Sequence, residues 1–298
     1  MPKLPLKPMK IISAVRDVRE QSRERARVLV TGTDRDAAKA VYETLTAGGR
    51  PEQSACLIDS SIGGNGGGLP PLTHLSGEDV IVLVMPPSMI ESEEVGNRLT
   101  EVELAKAKAV VVLTEAPGIE VSFPGVGPSR VVGMAPGQLL PADVLAEAVA
   151  DAAGDGAVAL AAQLPVLRQQ AVQQIIRRTS IQNAVVGCLF FIPGADMPVM
   201  TLNQARMVLR IAAAHGEPLG TERALELLSV IGSGFVFRGA ARQLLDFLPG
   251  PGWVIKGSVA WSGTRALGEA ARAYFDGSVR VTPSRLEPLV DKLKKLRG

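Results

Sequence analysis

Aromatic side chains are scarce in this chain, at 4% of 298 residues, or 7 Phe, 2 Trp and 2 Tyr. So few π-faces make base stacking on a single strand an unpromising mode, and no nucleic-acid module is recognisable, so nucleic acid is not an expected partner. Cysteine is sparser still. Cys56 and Cys188 lie far apart, and neither has a CxxC partner or a local histidine, which argues against a zinc site or a redox pair. The two histidines, His74 and His215, stand in no serine, cysteine and carboxylate pattern that selects a nucleophilic mechanism. Long apolar runs are missing as well. Ala184 to Ile192 is nine residues before Pro193, against about 20 for a membrane span, so it reads as a buried helix end or a shallow hairpin. The longer pattern Trp253 to Phe275 is interrupted by Lys256 and Arg265. A charge at the centre of a span costs about 2.5 to 3.5 kcal/mol on insertion scales, so a helical bundle is expected there. No stretch with a charged start, long apolar centre and small-residue cleavage site precedes the first domain, and a reducing cytoplasm is the expected compartment.

What is present is a charge asymmetry that the near-neutral total of +2 conceals. Residues 1–27 carry 8 Lys/Arg against 3 Asp/Glu, residues 28–153 carry 7 against 17, and residues 154–298 carry 17 against 10. The middle is acidic and both flanks are basic. Basic helices favour anionic lipid headgroups or nucleic acid, or the basic and acidic parts of the chain dock on each other, whereas an acidic domain discourages phosphate ligands unless local groups overcome its field.

Cut on the same lines, the chain reads as a basic N-terminal arm and helix over 1–27, an α/β domain over 28–153, a helical domain over 154–277, and a basic amphipathic helix over 278–298. In the arm, Ile11, Ile12, Val15 and Val18 give a helix of modest amphipathicity. Buried-strand signals follow at Val28–Thr31, Ala55–Asp59, Asp79–Met85, Ala109–Thr114 and Arg130–Gly133. Between them lie helical patterns over Thr33–Leu45, Ser88–Lys108 and Pro141–Ala153, the first with Ala37, Ala38, Val41 and Leu45 inward and a capping pair from Thr33 to Asp36. Strands alternating with helices imply parallel pairing and a doubly wound sheet.

A strand, a glycine and a helix also open many phosphate-binding domains. In GxxxxGK[ST] the backbone N–H groups face phosphate, the lysine reaches the terminal phosphates and the hydroxyl holds magnesium. Aligned on Gly32, this chain has Ala37 at the second glycine, Ala38 at the lysine and Lys39 at the hydroxyl position. Lys39 therefore stands one residue late, about 100° around a helix. Asp34 and Asp36 put carboxylates where phosphate charge should sit. Asp59 does not open an Asp-x-x-Gly element, because Ile62 takes the glycine position, and Thr114-Glu115-Ala116-Pro117 replaces Asn-Lys-x-Asp. The glycine-rich stretch Ser60–Pro71 is too free to preorganise a phosphate cradle and reads as a loop or partner lid.

Gly154-Asp155-Gly156 marks the boundary, and Ala157–Gly187 is largely helical with a break at Pro165. Further on, Pro193-Gly194 and Pro198 make an elbow, and Thr201 with Gln204 reads as a capping box opening a helix that stops at Gly216. Leu202, Ala205, Val208, Leu209 and Ala212 form its core face, and Arg206 and Arg210 its basic edge. Asp196 is placed to cap the elbow or pair with Arg206 or Arg178. Further helices are read at Thr221–Ile231 and Phe235–Leu248, and Gly257, Ala260, Gly263 and Ala266 run along the last long helix as a small-residue ridge.

The series Ile192-Pro-Gly-Ala-Asp196, Thr201-Leu-Asn-Gln204, Arg206-Met207, His215-Gly216, Gly232-Ser-Gly-Phe235, Leu248-Pro-Gly250 and Gly268-Glu-Ala-Ala271 resembles the YcjF-like family of domains of unknown function over about residues 163–277. Such domains are often attached to bacterial Era-like or dynamin-like GTPase domains. The resemblance implies that the preceding α/β domain is a degenerate P-loop GTPase-like doubly wound sheet, followed by an all-α domain. The expectation is a pseudo-GTPase scaffold or regulatory protein, peripheral at the inner face of the cell membrane, with a protein partner, self-association or an anionic membrane surface as its contact. No catalytic residue, metal or cofactor is expected; GTP at the relic formed by Gly32 and Lys39 is the alternative, in an atypical hydrolase completed by a partner. A lipid-binding or oligomer-forming structural protein is the third reading. Interaction residues named on these grounds are Asp196, Arg206, Arg210, Lys292, Lys294 and Lys295.

Overall fold

The computed structural model describes residues 8–21, 26–49, 55–58, 75–77, 79–118, 120–138, 140–189, 197–219 and 252–277. The described residues fall into two compact units, one within Arg19–Gln173 and Ala213–Gly216, the other within Met1–Val18, Gln174–Ala212 and Glu217–Gly298. The elements in chain order are α1 (Pro8–Gln21), β1 (Val28–Gly32), α2 (Arg35–Thr46), β2 (Cys56–Ile58), β3 (Val80–Met85), α3 (Glu93–Leu104), β4 (Lys108–Leu113), β5 (Val131–Gly133), α4 (Ala142–Ala153), α5 (Ala157–Gln163), α6 (Arg168–Leu189), α7 (Met197–Ala214) and α8 (Gly252–Phe275).

Runs of valine, leucine and isoleucine with no polar alternation are what a strand buried on both faces needs. β3 is VIVLVM and β4 is KAVVVL, and every residue of the two but Lys108 is buried. The expected all-parallel sheet is present, with strands in the order β2-β1-β3-β4-β5. Val28 pairs with Cys56 on one side and Val80 on the other, Val80 with Lys108, and Val111 with Val131. On one face, Ile81, Leu83, Met85, Val111 and Leu113 join Val95, Leu99 and Val102 of α3 in one core cluster. Ala37, Ala38, Val41 and Leu45 of α2 are all buried, as the periodicity requires.

Because β2 lies on one side of β1 and β3 on the other, the winding reverses there. In open α/β sheets the crevice outside the carboxyl ends of the strands at such a reversal is where ligands bind. The turn after β1 is therefore the place to look for chemistry.

Several boundaries differ from those read off the sequence. The cap of α2 is Asp34 and not Thr33, because the Asp34 carboxylate reaches two N–H groups of the first turn. α3 starts at Glu93 and not at Ser88: Pro87–Met89 makes a single 3-10 turn, and the Ser92 hydroxyl then accepts from the Val95 N–H. It ends before Lys106, which takes a left-handed φ of 59°. α7 begins at Met197, so Thr201 lies inside a helix that it was expected to cap. Pro198 stands at the second residue of that helix, where a missing N–H costs nothing.

In the other unit, α6 buries Ile175, Ile176 and Thr179 on the expected side. Its C-terminal end is not the buried one anticipated, since Val185 is 50% and Leu189 66% exposed. α7 stops at Gly216 as expected: Gly216 takes φ 77°, its N–H donates to Ala213 and that of Glu217 to Ala212, the paired bonds of a Schellman cap.

α8 approaches α6 closely through glycine. A Cβ on Gly257 would collide with Cys188 Sγ, and one on Gly268 would lie 2.6 Å from Ile176 Cγ1. Rising numbers on α8 thus meet falling numbers on α6, and the two helices run antiparallel. The close face is Gly257, Ala260, Thr264 and Gly268; Gly263 faces open space. The expected ridge through Gly263 and Ala266 drifts off this face because it steps by three residues throughout, whereas the observed one mixes steps of three and four. The segments 59–74, 190–196, 220–251 and 278–298 lie outside the described residues, and with them the glycine-rich loop, the elbow, and the helices expected at Thr221–Ile231 and Phe235–Leu248.

Candidate functional site

At the turn after β1 the chemistry is decided by where the backbone donors point. A phosphate cradle needs them free at a helix N-terminus. Here the N–H groups of Asp36 and Ala37 both donate to Asp34 Oδ1, each at 3.0 Å. The N–H of Thr33 donates to the Val84 carbonyl at 3.2 Å, and that of Ala38 to the Asp34 carbonyl at 3.0 Å. The chain's own carboxylate takes the place of an anionic ligand.

Gly32, the first glycine of the expected relic, has a packing reason of its own. A Cβ there would run into the Val84 carbonyl oxygen, so the close approach of β1 to β3 demands glycine with or without a ligand. Lys39 is exposed and lies 3.8 Å from Glu43 one turn along α2, so its charge is directed along the helix surface. One observation points the other way: the buried hydroxyls of Thr31 and Thr33 have no hydrogen-bond partner.

The remaining strand ends agree with the turn. After β4, the N–H of Thr114 donates to Met85 and that of Ala116 to Met134, which knits the segment into the sheet edge. Glu115 between them is exposed with φ 57°. Gly133 is needed because a Cβ would strike the Ala116 carbonyl oxygen. Asp59 lies outside the described residues.

At the opposite, amino end of the sheet sits a bidentate ion pair. Arg27 grips Asp79 with both arms, Nε to Oδ1 at 3.1 Å and Nη2 to Oδ2 at 2.7 Å, and the Ser76 N–H adds a third bond to Oδ2 at 2.9 Å. Burial pushes the Asp79 carboxyl up, but the bonds and charge of Arg27 and the Ser76 N–H outweigh it, and the group titrates below the usual carboxylate range. Strand ends opposite the carboxyl edge seldom carry chemistry, and this pair ties the start of β1 to β3.

In the helical unit a polar network was missed by sequence reasoning. Asn183 and Thr264 are both fully buried. Asn183 Nδ2 donates to Thr264 Oγ1 at 2.9 Å and to the Met200 carbonyl at 3.4 Å, while its Oδ1 accepts from Asn203 Nδ2 at 2.9 Å. Gln204 Nε2 donates to the same Thr264 hydroxyl at 3.1 Å. Gln204, read as half of a capping box, instead joins α7 to α8. The signal available was Asn183 on the inward side of α6, where an amide is retained only with partners.

Of the interaction residues named from sequence, the structure brings Arg206 and Arg210 together on one surface of α7. Arg206 Nη2 binds Asp17 Oδ2 of α1 at 2.7 Å, and its Nε is buried with no hydrogen-bond partner. Both arginines line a cavity of about 540 Å3 with Ile181, Val185, Val186 and Met207. Asp196, Lys292, Lys294 and Lys295 lie outside the described residues. Among the described residues no group of His, Cys, Asp and Glu is arranged to hold a metal, and no helix is long and apolar enough to cross a membrane.

These helices also carry the family signal. Residues 153–274 match the model of a domain of unknown function, DUF697. The DUF697 segment opens at the end of α4, runs through α5, α6 and α7, and closes in α8. It leaves the five strands outside and fits the expected C-terminal helical domain of unknown function. No curated protein and no solved structure matches the chain.

Proposed function

We propose that the protein is a non-catalytic scaffold or regulator, in which a GTPase-like α/β domain has lost its nucleotide chemistry and a YcjF-like helical domain makes the membrane-proximal contact. The observation that carries the first half is the Asp34 carboxylate bonded to the N–H groups of Asp36 and Ala37. A phosphate at that turn would have to displace a covalently tethered anion and sit beside Asp36, at an energetic loss on both counts. The second half rests on the basic groups of the helical domain, with Arg206 and Arg210 beside an open cavity.

Calorimetric titration with GTP, GDP and ATP in the presence of magnesium tests the first half. No heat is expected from a folded sample at several temperatures, and micromolar binding of any of the three would overturn it. A second reading, an atypical nucleotide hydrolase whose missing cation comes from a partner, is favoured by the unpartnered hydroxyls of Thr31 and Thr33 at the sheet's winding reversal. Thermal stabilisation by nucleotide would select it.

A further inference from the structure

We infer that the cavity between α6 and α7 is a seat for the anionic headgroup of a phospholipid presented by a bilayer. The inference rests on the membrane-proximal half of the functional reading and gives it an address. A volume of about 540 Å3 falls in the range of small-ligand sites, and the lining sets four apolar side chains beside convergent polar ones, Thr179, Gln182 and Asn203 with the two arginines. Ile181, Val185, Val186 and Met207 supply the apolar part, Arg206 and Arg210 the cationic edge.

Two further features point to a lipid. Arg206 already holds one carboxylate, Asp17, through Nη2, while its buried Nε–H lacks an acceptor, so a turn of the guanidinium toward the cavity would let a second anionic oxygen complete it. The apolar lining also continues past the cavity along α6: Ile181 is 48%, Val185 50% and Leu189 66% exposed, at intervals of four residues on one face. A small soluble anion would leave that stripe in water. A lipid in a bilayer covers the stripe with acyl chain while its phosphate meets the arginines.

Binding of the full-length protein to vesicles of phosphatidylcholine with and without 30% phosphatidylglycerol, read by co-sedimentation at two salt concentrations, tests this. Arg206→Gln is expected to weaken association with the acidic vesicles about fivefold, the worth of one basic residue near such a surface. Val185→Ser, at a half-exposed position where folding is little affected, is expected to weaken it without changing its salt dependence. Asp17→Asn removes the competing carboxylate and should strengthen binding more than Glu269→Gln, which makes the same charge change at the Arg272 pair. Acidic-vesicle binding that Arg206→Gln and Val185→Ser leave unchanged would overturn the groove and spare the membrane-proximal reading. Absence of binding to any vesicle would overturn both. Capture of a monomeric fatty acid with no binding to vesicles would overturn the bilayer assignment.

Discussion

Removing Arg27 should cost more than removing its partner, because the two ends of the pair are unequally exposed. The Arg27 side chain is 42% exposed and that of Asp79 3%. Arg27→Met keeps the aliphatic stem and leaves a buried carboxylate solvated by Ser76, without its cation. Breaking a buried pair in this way costs about 3 to 5 kcal/mol, and the partial exposure of Arg27, which lets water reach the site, sets the expectation at the low end, about 3 kcal/mol. Asp79→Asn leaves a guanidinium already half in water and an oxygen for Ser76, so the loss is that of a charged hydrogen bond, about 1.5 kcal/mol. The pH dependence distinguishes the two. In the native protein the Asp79 pKa is depressed, so its stabilisation is complete above the unfolded value of about 3.9 and is lost as pH falls through the lower folded value. In Arg27→Met burial is opposed by Ser76 alone and the folded pKa rises above its value in the native protein; protonation then relieves the buried charge, and the penalty shrinks as pH falls from 7 towards 4. Urea unfolding followed by far-ultraviolet circular dichroism reads this. Fluorescence is a poor probe of the sheet, since both tryptophans, Trp253 and Trp261, lie in α8. Equal penalties for the two variants at pH 7, or a penalty for Arg27→Met that does not move with pH, would refute the reasoning.

Gly32→Ala should destabilise the sheet by at least about 3 kcal/mol, as overpacking against a backbone carbonyl has no side chain to yield; a loss below 1 kcal/mol in urea melts would show that the glycine is kept for something other than packing. Thr264→Val preserves shape but strips the acceptor shared by Asn183 and Gln204, and a loss of about 1 to 3 kcal/mol is expected, with Asn183→Leu/Thr264→Val costing less than the sum of the single changes. Burial pushes the Cys56 thiol up to about 12, so a thiol reagent at pH 8 should modify Cys56 only on unfolding; rapid labelling of Cys56 in the native protein, located by peptide mapping, would contradict its placement.

Much of the α/β unit was legible because its signals are local. Unbroken runs such as VIVLVM can be buried on both sides only in a covered parallel sheet, and the inward positions of α2 follow from a period of 3.6. That no lysine stands where a P-loop would need one could be read without a structure, since it is a matter of which residue stands at which position. That Asp34 spends its carboxylate on its own helix, and that Gly32 is fixed by Val84, could not be read, because both depend on atoms brought together by strand pairing. Proline misled at Pro198: the sequence rule forbids it inside a helix, yet the fold places it in the first turn, where the rule does not apply.

The helical domain shows the division most clearly. Sequence alone determined that Arg206 and Arg210 share an edge of one helix, since residues four apart must do so, and that Gly216 ends it. Tertiary structure alone decided that Asn183, Asn203, Gln204 and Thr264 meet, because residues up to 81 positions apart become neighbours only once α6 and α8 lie antiparallel. It likewise decided that Arg206 answers to Asp17, 189 residues away. Helical periodicity acts within a few turns, whereas the choice of partner is made by close packing between helices, and no spacing along the chain records it.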